Sequence, residues 1–158
     1  MPSYSTYFEV SKRRVKDFIG RENELLRISS YFSAEGDSQP RPLILQALGG
    51  QGKSQIVLEY CQRSRSTYRG IFWVNAASEA TATQSFVNFA GKLGQASSDA
   101  LQHAKAKIQF VKSTLEQWSE RWLLVFDNYD DPEHFSAIHQ FTPSGKPRLQ
   151  DSISETLH

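Results

Sequence analysis

The stretch "LILQALGGQGKSQIVLEY", residues 43–60, constrains the fold of this chain more than any other. The apolar run from Leu43 to Ala47, preceded by Pro42, suits a short buried strand better than a helix. Past the glycines, Ile56, Val57, Tyr60 and Cys61 fall on one helical face. Strand, glycine-rich loop and helix in that order imply a parallel sheet, because a strand that feeds a helix meets its next neighbour through a crossover.

The same alternation continues along the chain. "GIFWVNA", residues 70–76, is apolar and aromatic enough to be covered on both faces. Phe86, Phe89, Ala90 and Leu93 mark a helix closed by Gly94. From Ser98, residues Leu101, Ala104, Ile108, Val111, Leu115 and Trp118 recur every three or four positions and predict a long helix laid on a sheet. "RWLLVFDNYDD", residues 121–131, runs five apolar residues into an acidic cluster, the pattern of a buried parallel strand whose C-terminal end meets a ligand. Upstream, residues 1–20 read as mixed and turn-like. "RENELLRISSYF" then carries Leu25, Ile28 and Phe32 at helical spacing, and "SAEGDSQPRP" breaks the pattern as a surface loop. The expected fold class is α/β with a parallel sheet.

Composition narrows the classes of function. A chain of 158 residues with 39% apolar residues, three Trp and ten Phe has the means to bury a core in one domain. A net charge of +1 argues against a dedicated nucleic-acid binder, and the basic run at Lys12, Arg13, Arg14 and Lys16 reads as a solvated face. The single cysteine, Cys61, excludes an intramolecular disulfide and sits in the pattern as a core thiol. No apolar stretch reaches the length of a membrane span, so a cytoplasmic chain with no membrane partner is expected. His103, His134 and His139 lack metal-ligand spacing with a second His or Cys.

The glycine turn has a physical use. A tight loop at a helix N-terminus presents converging main-chain amides and the positive end of the helix dipole to an anion, and phosphates are the natural guest. Side chains would block that approach, which explains Gly49, Gly50 and Gly52. The cradle extends through Gln51 to Gln55, while Lys53 supplies a cation to the outer phosphates and the Ser54 hydroxyl can ligate Mg²⁺. The usual pattern G-x-x-x-x-G-K-[ST] has Ala47 here in place of its first glycine. Asp127, at the end of the second acidic-ended strand, is the candidate for the companion carboxylate, so Lys53 and Asp127 are the candidate catalytic residues and Ser54 and Asp127 the candidate metal ligands.

Four segments in order, "FIGRENEL", "ALGGQGKS", "IFWVNAAS" and "WLLVFDNYDD", resemble the NB-ARC branch of the STAND P-loop NTPases, especially that of fungal NOD-like receptors of innate immunity. The resemblance covers most of residues 10–146. It implies a three-layer αβα nucleotide-binding domain over residues 21–146 and an N-terminal lead-in, residues 1–20, whose motif Phe18, Ile19, Gly20 and Arg21 folds over the adenine. Ile19 and Arg21 would then lie near the base. It also implies a switch that holds ADP when closed, takes ATP when activated and oligomerises, with itself or with a full-length relative. Asn128 follows Asp127 where many ATPases of this broad class carry a second carboxylate, and Asn cannot act as a general base, so hydrolysis is expected to be slow or absent.

One departure from the family sets a further expectation. After "FTPSGK" the family has another apolar strand, lying between the P-loop strand and the strand of Asp127. Here the chain reads "PRLQDSISETLH", in which Leu149, Ile153 and Leu157 sit at helical intervals among polar residues. Residues 147–158 are therefore expected to form an atypical tail and to leave the sheet incomplete at its C-terminal end. That expectation motivates an alternative function, a non-catalytic truncated interaction fragment that associates with a full-length relative. A small-molecule kinase would need an acceptor site and an arginine-rich lid, and neither is evident.

Overall fold

Two strands, β3 (Gly70–Asn75) and β4 (Trp122–Asp127), form the centre of a parallel sheet in the computed structural model, paired from Gly70↔Trp122 to Asn75↔Asp127. The structure describes residues 6–10, 20–33, 44–45, 51–94, 103–129, 133, 135–143 and 150–153. Within these, β1 (Tyr7–Glu9) pairs with β3, and β2 (Ile44–Leu45) pairs with β4. A further strand, β5 (Gln150–Ile153), also pairs with β4, and all four pairings are parallel. Four helices accompany them: α1 (Glu22–Ser33), α2 (Gln51–Arg63), α3 (Glu79–Lys92) and α4 (Ala104–Gln117). The chain is an α/β protein, as the alternation of apolar runs and helical periodicity implies.

The apolar continuity of β3 and β4 follows from burial on both sides of the sheet. On one side Ile71, Trp73, Leu123 and Val125 pack with Leu25 and Ile28 of α1 and Ile56, Val57, Tyr60 and Cys61 of α2. On the other, Phe72, Val74, Trp122, Leu124 and Phe126 pack with Phe86, Phe89 and Ala90 of α3 and Val111 and Leu115 of α4. Ile138 and Phe141, from the 3₁₀ helix Ser136–Phe141, complete that second cluster. Strand periodicity sends alternate residues to opposite clusters, so a polar residue at any of these positions would face apolar side chains.

Local signals fix the helix ends. Ser78 caps α3 with a capping box: its hydroxyl accepts from the Thr81 N–H, and the Thr81 hydroxyl accepts from the Ser78 N–H. Beyond the helix Gly94 adopts φ +105, a left-handed value that glycine accommodates without Cβ strain. α4 begins at Ala104, which is exposed, and only its Val111 and Leu115 are fully buried; Leu101, with the rest of residues 95–102, lies outside the described residues.

Two expectations are corrected. Residues 1–20 are not turn-like throughout, since Tyr7–Glu9 extends the sheet beside β3. Three residues are too few to show a period, and it is the main-chain pairing that makes them a strand. The tail is the second correction. Gln150–Ile153 takes a parallel register on β4, from Trp122↔Gln150 to Val125↔Ile153. β2 continues along the same edge with Ile44↔Phe126 and Leu45↔Asp127, so every residue of β4 is paired on that side. The unpaired edge predicted for the strand of Asp127 is thus occupied. Any extended segment satisfies main-chain donors and acceptors, and side-chain polarity does not prevent it.

Candidate functional site

The carboxyl ends of three strands lie level with one another. Asp127, the last residue of β4, is flanked by Leu45 at the end of β2 and by Asn75 at the end of β3. In open α/β sheets this edge is where ligands bind, because the loops leave the strands there and helix N-termini face it. Helix α2 starts at Gln51, six positions beyond Leu45. The main-chain N–H groups of its first turn, at Gln51, Gly52 and Lys53, have no acceptor within the helix and form the donor end of its dipole.

Ser54, in the same turn, is 4% exposed and donates a 2.9 Å hydrogen bond from Oγ to Asp127 Oδ1. Asp127 is fully buried, which makes its hydrogen bonds the condition for keeping a carboxylate there. The Asn128 N–H donates to the same Oδ1 at 3.0 Å, and the Trp73 indole Nε1–H donates to Oδ2 at 3.3 Å. Asn128 holds φ +64, a left-handed value that Asn tolerates better than most residues. The turn so formed directs the chain away from the strand immediately after the carboxylate.

The pair predicted to share a cation, Ser54 and Asp127, is therefore in direct contact. Gln51, Gly52 and Lys53 occupy the first turn of α2 with Ser54, and Gln55 follows, half-buried. Gly49, Gly50, Ala47, Phe18 and Ile19 lie outside the described residues, as do Asp130, Asp131 and His134. Arg21 is described. It holds φ +62 beside Gly20 at φ +81, a left-handed turn that opens α1. Its neighbour Glu22 is bonded to Arg63 in the last turn of α2, at 3.1 and 3.2 Å. Nine helical steps, roughly 14 Å of axis, separate Arg63 from Ser54. The contacts next to Arg21 thus run to the opposite end of α2 from the Ser54–Asp127 pair.

Pattern alone does not single out Trp73. Its place in an apolar strand reads as core, and it is core, but it also carries the one donor in the run "IFWV" able to reach a carboxylate from its side chain. The signal was an indole two residues before the strand end, next to a strand that ends in Asp.

Hard oxygen donors suit Mg²⁺, which keeps several waters and takes one or two protein oxygens together with phosphates. Ser54 and Asp127 supply that number. Among the described residues no group of three His, Cys, Asp or Glu converges, so no all-protein metal cage is present there. Two clefts lie on the side of β1 and α3: one of about 630 Å³ is lined by Glu9, Asn88, Lys92 and Lys107 among others, and one of about 200 Å³ shares Glu9 and Asn88 with it and reaches Trp73. Neither is lined by Ser54 or Asp127. No helix among the described residues is long and apolar enough to cross a membrane. Comparison of the chain with protein-family models, with curated proteins and with solved structures returned no match.

Proposed function

We propose that this chain is an adenine-nucleotide-binding module of the P-loop NTPase fold, of the kind used in STAND signalling switches, with slow or no ATP hydrolysis. The observation that carries the reading is the buried hydrogen bond from Ser54 to Asp127, which joins the first turn of the helix after a glycine-rich loop to the carboxyl end of a parallel strand. Those two side chains are the ones that P-loop chemistry requires to be adjacent. In this reading the amides of Gln51, Gly52 and Lys53 meet the phosphates, and the Lys53 ammonium neutralises the outer ones. Ser54 and Asp127 would hold Mg²⁺, whose positive charge would offset that of the phosphates. Ile19 and Arg21 enter at the base end through the family resemblance alone.

The alternative, a non-catalytic truncated interaction fragment that associates with a full-length relative, draws its motive from a strand missing beside β4. β5 and β2 fill that edge of β4.

Lys53→Ala tests the reading. Calorimetry with ADP and ATP should show affinity lowered by about tenfold or more, the weight of a charge-assisted contact to phosphate, with an unchanged circular dichroism spectrum. Equal affinity in the variant, or no binding by the wild-type chain, overturns it.

A further inference from the structure

β3 is buried from Gly70 to Val74 and exposed at Asn75, its last residue. Asn75 is the register partner of Asp127, and partners in a parallel pair project from the same face of the sheet. That face is the one α2 covers: Trp73, two positions earlier and so on the same side, packs in the cluster of α2 and reaches Asp127 with its indole. The Asn75 amide therefore stands beside Asp127, on the flank away from β2. Its setting is rigid. The Asn75 N–H donates to Ser85 Oγ at 3.1 Å, and the Asn75 carbonyl accepts from Thr81 Oγ1 at 2.9 Å, both on α3. Side-chain Oδ1 accepts from the Ala77 N–H at 3.2 Å, which engages the acceptor of the amide and leaves its NH₂ group as a donor. Among the described residues Nδ2 bonds to nothing. A donor fixed in place, exposed and without an acceptor in the chain suits an anion that arrives from outside.

We propose that Asn75 is a specificity-determining residue that donates from Nδ2 to the terminal phosphate of ATP and so favours ATP over ADP. This rests on the nucleotide-binding reading above and deepens it, because it names the group that tells the two nucleotides apart. The order of strands supplies the direction. α2 begins after β2, Ser54 of its first turn meets Asp127 on β4, and Asn75 comes next on β3. A phosphate chain that starts at the amides of α2 and runs along this row past Asp127 brings its outermost group to Asn75. ADP lacks that group. An amide N–H to a phosphate oxygen is charge-assisted on the acceptor side, so one such bond is enough to discriminate.

The test uses the full chain and calorimetry with ADP and with the non-hydrolysable β,γ-imido analogue of ATP, both in Mg²⁺, so that any effect of a variant on the cation is common to the two. Asn75→Asp keeps an oxygen for the Ala77 N–H but replaces the donor by an anionic oxygen. Asn75→Ala removes both. The ratio of analogue affinity to ADP affinity should fall by about tenfold or more in Asn75→Asp, the weight of a hydrogen bond to a charged group, while the urea midpoint stays near that of the wild type. Were Asn75 to serve only the turn at Ala77, Asn75→Ala would be impaired and Asn75→Asp restored to the wild-type ratio; that outcome overturns the proposal. So does an equal loss of affinity for both nucleotides. Both results leave nucleotide binding by the wild type intact, whereas a wild type that binds neither nucleotide overturns the parent reading and this one with it. A second measurement needs only the wild type: the side-chain amide ¹H–¹⁵N signals of Asn75, assigned through bonds from its own main chain, should shift with the analogue and much less with ADP. Equal shifts overturn the proposal even if the variants fold poorly.

Discussion

Ser54 Oγ donates to Asp127 Oδ1 although 73 positions separate them, and both side chains are buried. A buried carboxylate is tolerable only while donors surround it, and donors placed to serve it are in turn stranded when it is removed. Asp127→Ala deprives the Ser54 hydroxyl and the Trp73 indole of this acceptor together. The variant is expected to lose about 2–5 kcal/mol of stability, read as a lower urea midpoint. Asp127→Asn keeps the volume and one acceptor oxygen, so its midpoint should fall less. Equal midpoints for wild type and Asp127→Ala would show that the cluster is not formed.

Glycine positions supply a pair of predictions with opposite sign. A Cβ on Gly70 would lie 2.6 Å from Phe72 Cε2 and 2.9 Å from Trp118 Cζ3, inside the aromatic cluster where Trp118 also stacks on Tyr7 at 5.6 Å between ring centres. Those rings cannot withdraw without opening the core, so Gly70→Ala should cost about 1–3 kcal/mol. Gly91, in the last turn of α3, would meet nothing within 4 Å. Gly91→Ala should therefore stabilise by about 0.5–1 kcal/mol through reduced backbone entropy of the unfolded chain. Thermal melts of the two variants on either side of the wild type would bear this out; melts on the same side would not.

What the sequence revealed and what it hid follow from how each element is stabilised. β3, β4 and α2 were legible because side chains define them: both strands are buried on two faces, and Ile56, Val57, Tyr60 and Cys61 all lie in the core as their spacing predicts. β1 and β5 were not, because three or four residues held by main-chain pairing leave no side-chain period to read. The site divides in the same way. Ser54 and Asp127 were legible as chemistry that needs a loop, a helix start and a strand end. Trp73 was hidden because an indole in an apolar run satisfies the core pattern whether or not its N–H has a task, and only the register of β3 beside β4 brings it to Asp127.

Cys61 gives a pH-dependent prediction. It is fully buried, and burial pushes its thiol from the ordinary value of 9.0 up to about 12. The folded state thus holds this proton more tightly than the unfolded state does. The stabilisation is fully present below pH 9.0 and is lost progressively as the pH rises from 9.0 towards 12. At pH 8 the folded chain should resist thiol reagents, with modification at the rate of global unfolding. Rapid stoichiometric labelling of the native protein would mean that Cys61 is accessible. Cys61→Ala, which removes the titrating group, should flatten the fall in stability above pH 9.0 even though it lowers stability overall by leaving a small cavity.

Hydrolysis is expected to be slow for a local reason. The residue after Asp127 is Asn128, fixed in a left-handed turn with its main-chain N–H on Asp127 Oδ1, and its side-chain amide has no basic lone pair to take a proton from water. Mg²⁺-dependent ATP turnover should therefore fall below about 1 per second, an ordinary enzyme rate. Faster turnover that disappears in Lys53→Ala would show that this site catalyses hydrolysis after all and would exclude the switch reading.

The edge of β4 supports a final prediction that separates main-chain pairing from side-chain packing. Trp122–Val125 pair with β5 and Phe126–Asp127 with β2, so the two halves of one strand depend on different neighbours. Alternate residues of a parallel strand direct their N–H and C=O to opposite edges, and proline has no N–H to donate. Of Asp151→Pro and Ser152→Pro, one removes a donor to β4 and the other removes a donor on the far side. One variant should therefore be destabilised markedly more than the other, by about 1–3 kcal/mol for the acceptor left unpaired in the buried sheet. In the more damaging variant, hydrogen exchange should accelerate at those amides of Leu123, Leu124 and Val125 that face β5 and remain slow at those that face β3 and at whichever of Phe126 and Asp127 faces β2. If neither proline changes exchange in β4, Gln150–Ile153 does not hold the strand in solution. If both halves of β4 lose protection together, the sheet opens as one unit and β2 alone cannot sustain the end that carries Asp127.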